Sequence, residues 1–183
     1  MVEERIVEQC APTLAGIKCG SLFRTRSDIA EIASEVELMN RRLNPLGVMV
    51  TTFRPSGCGT LVYVYRKDLL SLISEKDNRS IRLLSDLGYD ISSTDGLLRC
   101  LGMRIEEEGC VPHEIGLFLG YPFDDVFGFI DNHGKHPKCM GCWKVYGSIS
   151  EANRMFRIFR RCRAEYKMRY ESGTPISQLT VPS

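Results

Sequence analysis

The sequence lacks the features that would place the chain in or across a membrane. No stretch approaches the roughly 18 consecutive apolar residues that a membrane-spanning helix needs. The first five residues, Met-Val-Glu-Glu-Arg, contain no basic segment leading into an apolar core, so they do not resemble a secretory signal. We therefore expect a cytoplasmic protein with no membrane partner.

An excess of charge of one sign is also missing. Lys and Arg total 24 and Asp and Glu total 23, which gives a formal net charge of +1. Proteins that bind nucleic acids usually carry a clear positive excess, so this composition argues against a nucleic-acid partner.

Glycine-rich phosphate-binding loops are absent as well. Neither Gly57-Cys58-Gly59 nor the segment 116–120 has the lysine-serine ending of a Walker loop or the Gly-x-Gly-x-x-Gly pattern of a dinucleotide fold. Asp124 and Asp125 lie in the first turn of a predicted helix, where they would repel a phosphate group. We predict that this is not a nucleotide-binding enzyme of a familiar motif class, and the sequence names no cofactor.

Cysteine, by contrast, is abundant, with eight residues in a chain of 183. Cytosolic thiols are kept reduced, and an even number of cysteines is no evidence for disulfides in a chain of this length. We therefore expect reduced thiols at all eight positions: Cys10, Cys19, Cys58, Cys100, Cys110, Cys139, Cys142 and Cys162.

The hydrophobic pattern predicts interleaved helices and strands. The predicted helices are Val2–Cys10, 27–44, Asp68–Glu75, Ser80–Leu87, Thr94–Glu108, one after Pro122 and one beginning at Ser148. The predicted strands are Leu14–Arg24, Leu46–Thr52, Thr60–Arg66, Glu114–Leu119 and Trp143–Tyr146.

This order of elements predicts an α+β fold in a single domain over residues 1–173. We expect a small mixed sheet of about four or five strands with helices packed on it. The polar segment 174–183 contains two prolines and is expected to be a loosely ordered tail.

One local cluster has the residue types of a metal site. His133, His136, Cys139 and Cys142 follow one another at intervals of three, and imidazoles and thiolates are zinc or iron ligands. Four ligands within ten residues, with Pro137 among them, leave little chain to form a tetrahedron. Zinc or iron is therefore a candidate that we do not favour; we expect the histidines to point into solvent and only the two sulfurs to lie close together.

A second set of candidate residues comes from different parts of the chain. Cys10, Lys18, His113 and Glu114 combine a thiol, an amine, an imidazole and a carboxylate, and the last three lie on predicted strands or at their ends, which hold side chains rigidly. Cys10 lies at the end of a predicted helix, where the helix dipole disfavours a thiolate. One hypothesis is a small enzyme or a redox- or metal-linked protein with these four candidate catalytic residues.

The alternative hypothesis is a non-catalytic binding or adaptor protein that uses its last helix. The segment Arg154–Arg169 carries seven basic side chains: Arg154, Arg157, Arg160, Arg161, Arg163, Lys167 and Arg169. Such a face is simply solvated or lies against the acidic segment 104–125, or else it binds phosphate or nucleic acid. A pocket gathering the four candidate catalytic residues would favour the enzyme, and scattered side chains would favour the adaptor.

Several blocks of the sequence resemble a known bacterial family, the domain of unknown function 3793. These blocks are Cys10–Lys18, Leu61–Arg66, His113–Pro122, Gly128–Ile130 and Trp143–Gly147. The resemblance implies a cytoplasmic, single-domain bacterial protein, found largely in anaerobes, and it implies no activity. Family members often have histidine where this chain has Gln9 and need not carry the Cys139/Cys142 pair.

Overall fold

The computed structural model of the protein describes residues 1–55, 59–73 and 77–183, and within these ranges it contains both helices and strands. The helices are α1 Val2–Leu14, α2 Ile29–Leu43, α3 Lys67–Ser71, α4 Asn78–Asp86, α5 Thr94–Glu108, α6 Ile115–Phe118, α7 Phe123–Asp131, α8 Ile149–Glu171 and α9 Ile176–Leu179. The strands are β1 Gly20–Thr25, β2 Val48–Phe53, β3 Thr60–Arg66, β4 Cys139–Met140 and β5 Lys144–Val145.

The three longer strands form an antiparallel sheet in the order β1-β3-β2. Strand β3 lies in the centre and is buried along its whole length, as its apolar sequence Leu-Val-Tyr-Val-Tyr predicts. The predicted hairpin of β2 and β3 is confirmed, while Cys58 in the loop that joins them lies outside the described residues.

The prediction of one mixed sheet with four or five strands is not confirmed. In the described parts of the chain there are two sheets, one of three strands and one of two, and both are antiparallel. The protein does combine helices and strands, so the α+β class holds. One predicted strand, Glu114–Leu119, contains a helix instead, and the predicted strand Trp143–Tyr146 contributes to the separate two-stranded sheet.

The central strand separates two groups of core residues, because successive side chains of a strand point to opposite faces. Val62 and Val64 face the group packed under α1, α2 and α8. Tyr63 and Tyr65 face the group that includes residues of α5, α6 and α7. The sheet is therefore covered by helices on both faces.

Helix α1 continues to Leu14, beyond the end predicted at Cys10. Proline inside a helix removes one hydrogen bond and disfavours continuation, which is why Pro12 predicted a stop. Here burial outweighs that effect, since residues 10–14 are all buried against the core. The side chain of Arg66 also donates hydrogen bonds to the carbonyl oxygens of Thr13 and Leu14, both at 2.7 Å.

The predicted strand Glu114–Leu119 is wrong, because this segment contains the short helix α6, Ile115–Phe118. An apolar run that is buried on all sides has no period that separates a strand from a helix. The amide of Leu119 donates to the carbonyl of Ile115 at 2.9 Å, which closes a helical turn. The predicted strand Leu14–Arg24 likewise begins only at Gly20.

The other predicted elements agree in type and differ at their ends. Helices α2, α4, α5, α7 and α8 and the short strand β5 lie where the pattern places them. The predicted helix Asp68–Glu75 corresponds to α3, Lys67–Ser71, and its last two predicted residues lie outside the described residues. Ser148 begins α8 by accepting a hydrogen bond from the amide of Glu151, as its spacing predicts.

The segment 174–183 packs against the core, in contrast to the loosely ordered tail predicted. Ile176 and Leu179 are buried, and the amide of Val181 donates to the carbonyl of Leu14 at 3.0 Å. The guanidinium of Arg66 also binds the carbonyl of Val181 and the hydroxyl of Ser183. The segment is mostly polar, so its composition did not indicate that Ile176 and Leu179 are buried or that Arg66, far away in the sequence, binds it.

None of the helices described here is both long enough and apolar enough to cross a bilayer.

Candidate functional site

Lys18 has surroundings that are unusual for a charged side chain in a stable fold. It lies between α1 and β1, and its amide donates to the carbonyl of Pro12 at 3.1 Å. Its side chain is only 8% exposed, and its ammonium lies 5.0 Å from the ring centre of Tyr121 and 5.8 Å from that of Phe159. Among the described residues, no carboxylate forms an ion pair with it.

The environment of Lys18 disfavours its charged form. Burial lowers the pKa of its amine from 10.5 to about 8, and the nearby guanidinium of Arg163 adds to that effect. The neighbouring thiol of Cys10 acts in the opposite direction without cancelling the effect of burial. The contacts with the two aromatic rings stabilise an ammonium only partly.

Lys18 lines a cavity of about 270 Å³ whose wall is predominantly polar. The other lining residues are Glu8, Gln9, Ser21, Leu22, Leu119, Tyr121, Cys142 and Arg163. Arg163 comes from α8, and its Nε atom is buried without a hydrogen-bond partner among the described residues. The carboxylate of Glu8 binds the ammonium of Lys167 at 2.7 Å. The cavity therefore brings together two cationic groups, neither of which has a bound counter-ion within the described chain.

A glycine turn brings Tyr121 next to Lys18. Gly120 has a φ of +66°, and a Cβ at this position would approach Sγ of Cys19 to 2.9 Å. Both the left-handed backbone and the lack of space favour glycine here. The turn after α6 can therefore approach the segment before β1 closely enough for the ring of Tyr121 to cover the lysine.

Cys10 lies next to Lys18, but its surroundings do not activate its thiol. The residue is fully buried in the interior of α1, whereas the sequence predicted it at the end of a shorter helix. Burial raises its pKa to about 12, although Lys18 and Ser21 act in the opposite direction. A thiol with this pKa is protonated at neutral pH, so Cys10 is a structural neighbour of the cavity and a poor nucleophile.

Glu114 takes part in a separate structural network. It is 3% exposed, and Oε1 accepts hydrogen bonds from the hydroxyl of Tyr89 at 2.8 Å and from Nε of Arg104 at 2.7 Å. Arg104 also forms an ion pair with Glu108 at 2.8 Å. These contacts satisfy the buried carboxylate, which leaves it no role at the Lys18 cavity.

His113 lies apart from both groups. It is exposed, its ring meets Phe129 edge-on at 5.2 Å, and it lines a mainly apolar cavity of about 300 Å³. Tyr121 and Cys142 line this cavity as well as the Lys18 cavity. The structure therefore brings together Cys10 and Lys18 and does not bring His113 or Glu114 to them.

The four candidate metal ligands do not form a metal centre in the structure. No three His, Cys, Asp or Glu side chains in the described ranges are grouped so that they could hold an ion. His133 and His136 are exposed and have φ values of 49° and 54°. Cys139 is half-buried in β4, and Cys142 is exposed in the turn after it, at the cavity wall.

Three residues of the site were missed by sequence reasoning: Tyr121, Phe159 and Arg163. Tyr121 was part of a Gly-Tyr-Pro turn, Phe159 belonged to the apolar face of a helix, and Arg163 was one of seven basic residues. No spacing links these positions to Lys18. Because they meet only in the folded chain, a single sequence contains no signal for their proximity.

The fold and the cavity define a small α+β protein with a buried lysine beside a polar cavity. The family profile described as protein of unknown function (DUF3793) matches residues 6–180 of 183, and the chain belongs to that family. This match confirms the resemblance seen in the sequence. Neither the curated proteins nor the solved structures contain a significant match to the chain.

Proposed function

We propose that this protein binds a small organic anion, carrying a carboxylate or a phosphate group, in the Lys18 cavity. One observation carries the proposal: a buried lysine and the unpartnered Nε of Arg163 line the same polar cavity, and no carboxylate pairs with the lysine in the described chain. This keeps the earlier hypothesis of a site near Cys10 and Lys18 and removes His113 and Glu114 from it.

Electrostatics supports an anionic ligand. An unpaired buried charge is costly, and proteins normally pair it, hydrogen-bond it or neutralise it. The lowered pKa of Lys18 reflects that cost. An oxyanion between Lys18 and Arg163 would remove it, because it supplies acceptors to both donors.

The volume of the cavity supports a small ligand. At about 270 Å³ it lies just below the roughly 300–1,000 Å³ usual for drug-sized molecules. Its wall is mainly polar, which suits a compact metabolite better than a nucleotide with a large apolar base. This agrees with the absence of nucleotide-binding motifs in the sequence.

Thermal-shift measurements with defined probes test this proposal. Succinate, inorganic phosphate and pyrophosphate represent the anions, and succinamide represents a neutral molecule of similar size. A ligand at 100 times its Kd stabilises a protein by about 2.7 kcal/mol, so at least one anion is expected to raise the melting temperature clearly.

Two variants and a control locate the effect. Lys18→Met and Arg163→Met are expected to abolish the anion-dependent shift, while Lys67→Met is expected to keep it, because Lys67 is exposed and pairs with Asp95. The proposal fails if none of the anions stabilises the wild type, or if the shift persists in Lys18→Met.

A second candidate function is binding of an acidic protein by the basic face of α8. Arg154, Arg157, Arg160 and Arg161 are exposed, and within the described chain none of them forms an ion pair. Polyglutamate is a suitable probe. If this function is correct, wild-type protein binds polyglutamate in a salt-dependent manner and the fourfold Arg→Gln variant does not.

The cellular setting also remains a proposal. We propose a cytoplasmic protein of bacteria, largely of anaerobes, as the family resemblance implies. Free thiols are consistent with a reducing compartment. Six of the described cysteines are free: Cys10, Cys100, Cys110, Cys139, Cys142 and Cys162.

A further inference from the structure

We propose that the ligand of the Lys18 cavity carries a carbonyl group beside its anionic group, and that Lys18 forms a Schiff base with that carbonyl. The chemical class is an aldehyde or ketone that bears a carboxylate or a phosphate. This inference rests on the proposed function, because the anionic group is what holds the molecule in the cavity.

Lys18 differs from the other described lysines in its burial. Lys18 is the one buried lysine in the described part of the chain. Lys67 and Lys167 are exposed and form ion pairs with carboxylates, which favours their ammonium form. The amine of Lys144 donates to a backbone carbonyl at 2.7 Å. Among the described lysines, only Lys18 combines exclusion from water with a cavity large enough for a reacting molecule.

Nucleophilic addition requires a neutral amine, and the site favours that form. A lysine is activated when it lies in a poorly hydrated pocket or near another cation. Lys18 has both conditions, since the rings of Tyr121 and Phe159 cover it and Arg163 adds positive charge nearby. With a pKa of about 8, a substantial fraction of Lys18 is free amine near neutral pH.

The other cavity residues fit the remaining requirements of the reaction. Arg163 can hold the anionic group through its unpartnered Nε. Burial raises the pKa of Tyr121 to about 12, so its hydroxyl stays protonated and can donate a hydrogen bond to a carbonyl oxygen. Lys18 therefore attacks the carbonyl at one end of a ligand whose anionic group is held by Arg163 at the other end.

The reaction balances without an oxidant or a reductant. The lone pair of Nζ forms a bond to the carbonyl carbon, the electrons of the C=O double bond move to oxygen, and one of the two nitrogen-bound protons is transferred to that oxygen. The resulting carbinolamine then loses its hydroxyl group and the nitrogen-bound proton as water, and a C=N bond forms. Amine and carbonyl thus give imine and water.

Reductive trapping tests the inference directly. Wild-type protein is incubated near pH 8 with pyruvate, glycolaldehyde phosphate or the uncharged acetaldehyde, each with sodium cyanoborohydride, and the modified lysines are identified by peptide mass spectrometry. We expect pyruvate or glycolaldehyde phosphate to modify Lys18 at least about tenfold more than any other lysine, because binding places the carbonyl next to its amine. Acetaldehyde lacks the anionic group, so its preference for Lys18 is expected to be clearly smaller.

Variants separate this inference from the proposed function. Lys18→Arg keeps the positive charge and removes the reactive amine, so it is expected to lose the adduct and keep the thermal shift with the unreactive anions. Arg163→Met is expected to reduce labelling by the anionic carbonyl probes much more than labelling by acetaldehyde, which has no anionic group for Arg163 to bind. Lys67→Arg is the matched control and retains the Lys18 adduct.

The two claims can fail independently. If neither anionic carbonyl probe prefers Lys18 while succinate or phosphate still stabilises the protein, the Schiff base is wrong and anion binding stands. If no anion binds and Lys18 is labelled no faster than Lys67, both are wrong. Because the adduct is mapped in the wild type, a variant that fails to fold does not prevent the decision.

Discussion

Two buried cations in this protein have opposite surroundings. Arg66 is 2% exposed, and its guanidinium donates to the carbonyls of Thr13, Leu14 and Val181 and to the hydroxyl of Ser183. Lys18 is 8% exposed, and its ammonium lies over the rings of Tyr121 and Phe159. Arg66 has the acceptors that a structural cation needs, whereas Lys18 has no such acceptor among the described residues and lines a cavity instead.

This difference separates a role in stability from a role in binding. The acceptors of Arg66 belong to the end of α1 and to the segment 174–183, so one side chain joins three parts of the chain. A buried donor without acceptors weakens a fold, and it persists where a ligand supplies what the protein does not. The following substitutions test the contrast, from the largest expected effect to the smallest.

The largest loss of stability is expected for Arg66→Met. The substitution removes the four hydrogen bonds that the guanidinium donates to Thr13, Leu14, Val181 and Ser183, and together these should lower the free energy of unfolding by about 4 kcal/mol. Urea denaturation measures the change. Arg41→Met is the control, since Arg41 is exposed and should change stability by less than about 0.5 kcal/mol. An equal, small effect for both variants would contradict the structural role of Arg66.

Lys18→Met is expected to raise the free energy of unfolding rather than lower it, and the size of this gain should depend on pH. The folded state lowers the pKa of Lys18 from 10.5 to about 8, so between these values the unfolded chain binds more protons than the folded one. Stability of the wild type therefore falls as the pH is lowered from 10.5 to 8, by about 3 kcal/mol from this residue. Below pH 8 this contribution is constant.

The variant has no titrating amine at this position and should lack that contribution. Its free energy of unfolding relative to that of the wild type therefore rises as the pH is lowered from 10.5 to 8. Urea denaturation at both ends of the interval measures the difference. A constant difference between the two proteins would show that Lys18 is not desolvated.

A smaller loss is expected for Glu114→Gln. The substitution keeps the shape of the side chain but removes the charge that Arg104 and Tyr89 contact, which should cost about 2 kcal/mol. Anion-dependent stabilisation should be unchanged, because Glu114 does not line the Lys18 cavity. Loss of the anion effect in this variant would return Glu114 to the functional site.

The smallest effect is expected for His113→Ala. This exposed ring has an edge contact with Phe129, so its removal should change stability by less than about 1 kcal/mol. Anion binding and labelling of Lys18 should remain at the wild-type level. A large loss of either would show that the cavity lined by His113 and the Lys18 cavity act together.

The sequence predicted those elements whose period is unambiguous. The hairpin of β2 and β3 and the long helices α5 and α8 could be placed because their apolar residues repeat at fixed spacing. The segment 115–118 could not, since its residues are apolar without a period. That error placed His113 and Glu114 on a strand and made them candidates for a shared site.

The candidate site was predictable only in part. Lys18 stood out because it lies on the predicted strand Leu14–Arg24, and its neighbour Cys10 lies close to it in the folded chain. Its aromatic cover and Arg163 come from positions more than a hundred residues away, so only the tertiary structure brings them there. The candidate metal ligands have a regular spacing in the sequence, but among the described residues no three such side chains are grouped so that they could hold an ion.

The central claim is that Lys18 lacks a counter-ion until an anion enters the cavity. Nuclear magnetic resonance of protein containing [ζ-15N]lysine follows this amine directly during a pH titration, with and without saturating succinate or phosphate. We predict a pKa of about 8 in the free protein and a clearly higher value with the anion that binds. A pKa near 10.5 in the free protein, or one that neither anion changes, would contradict the account.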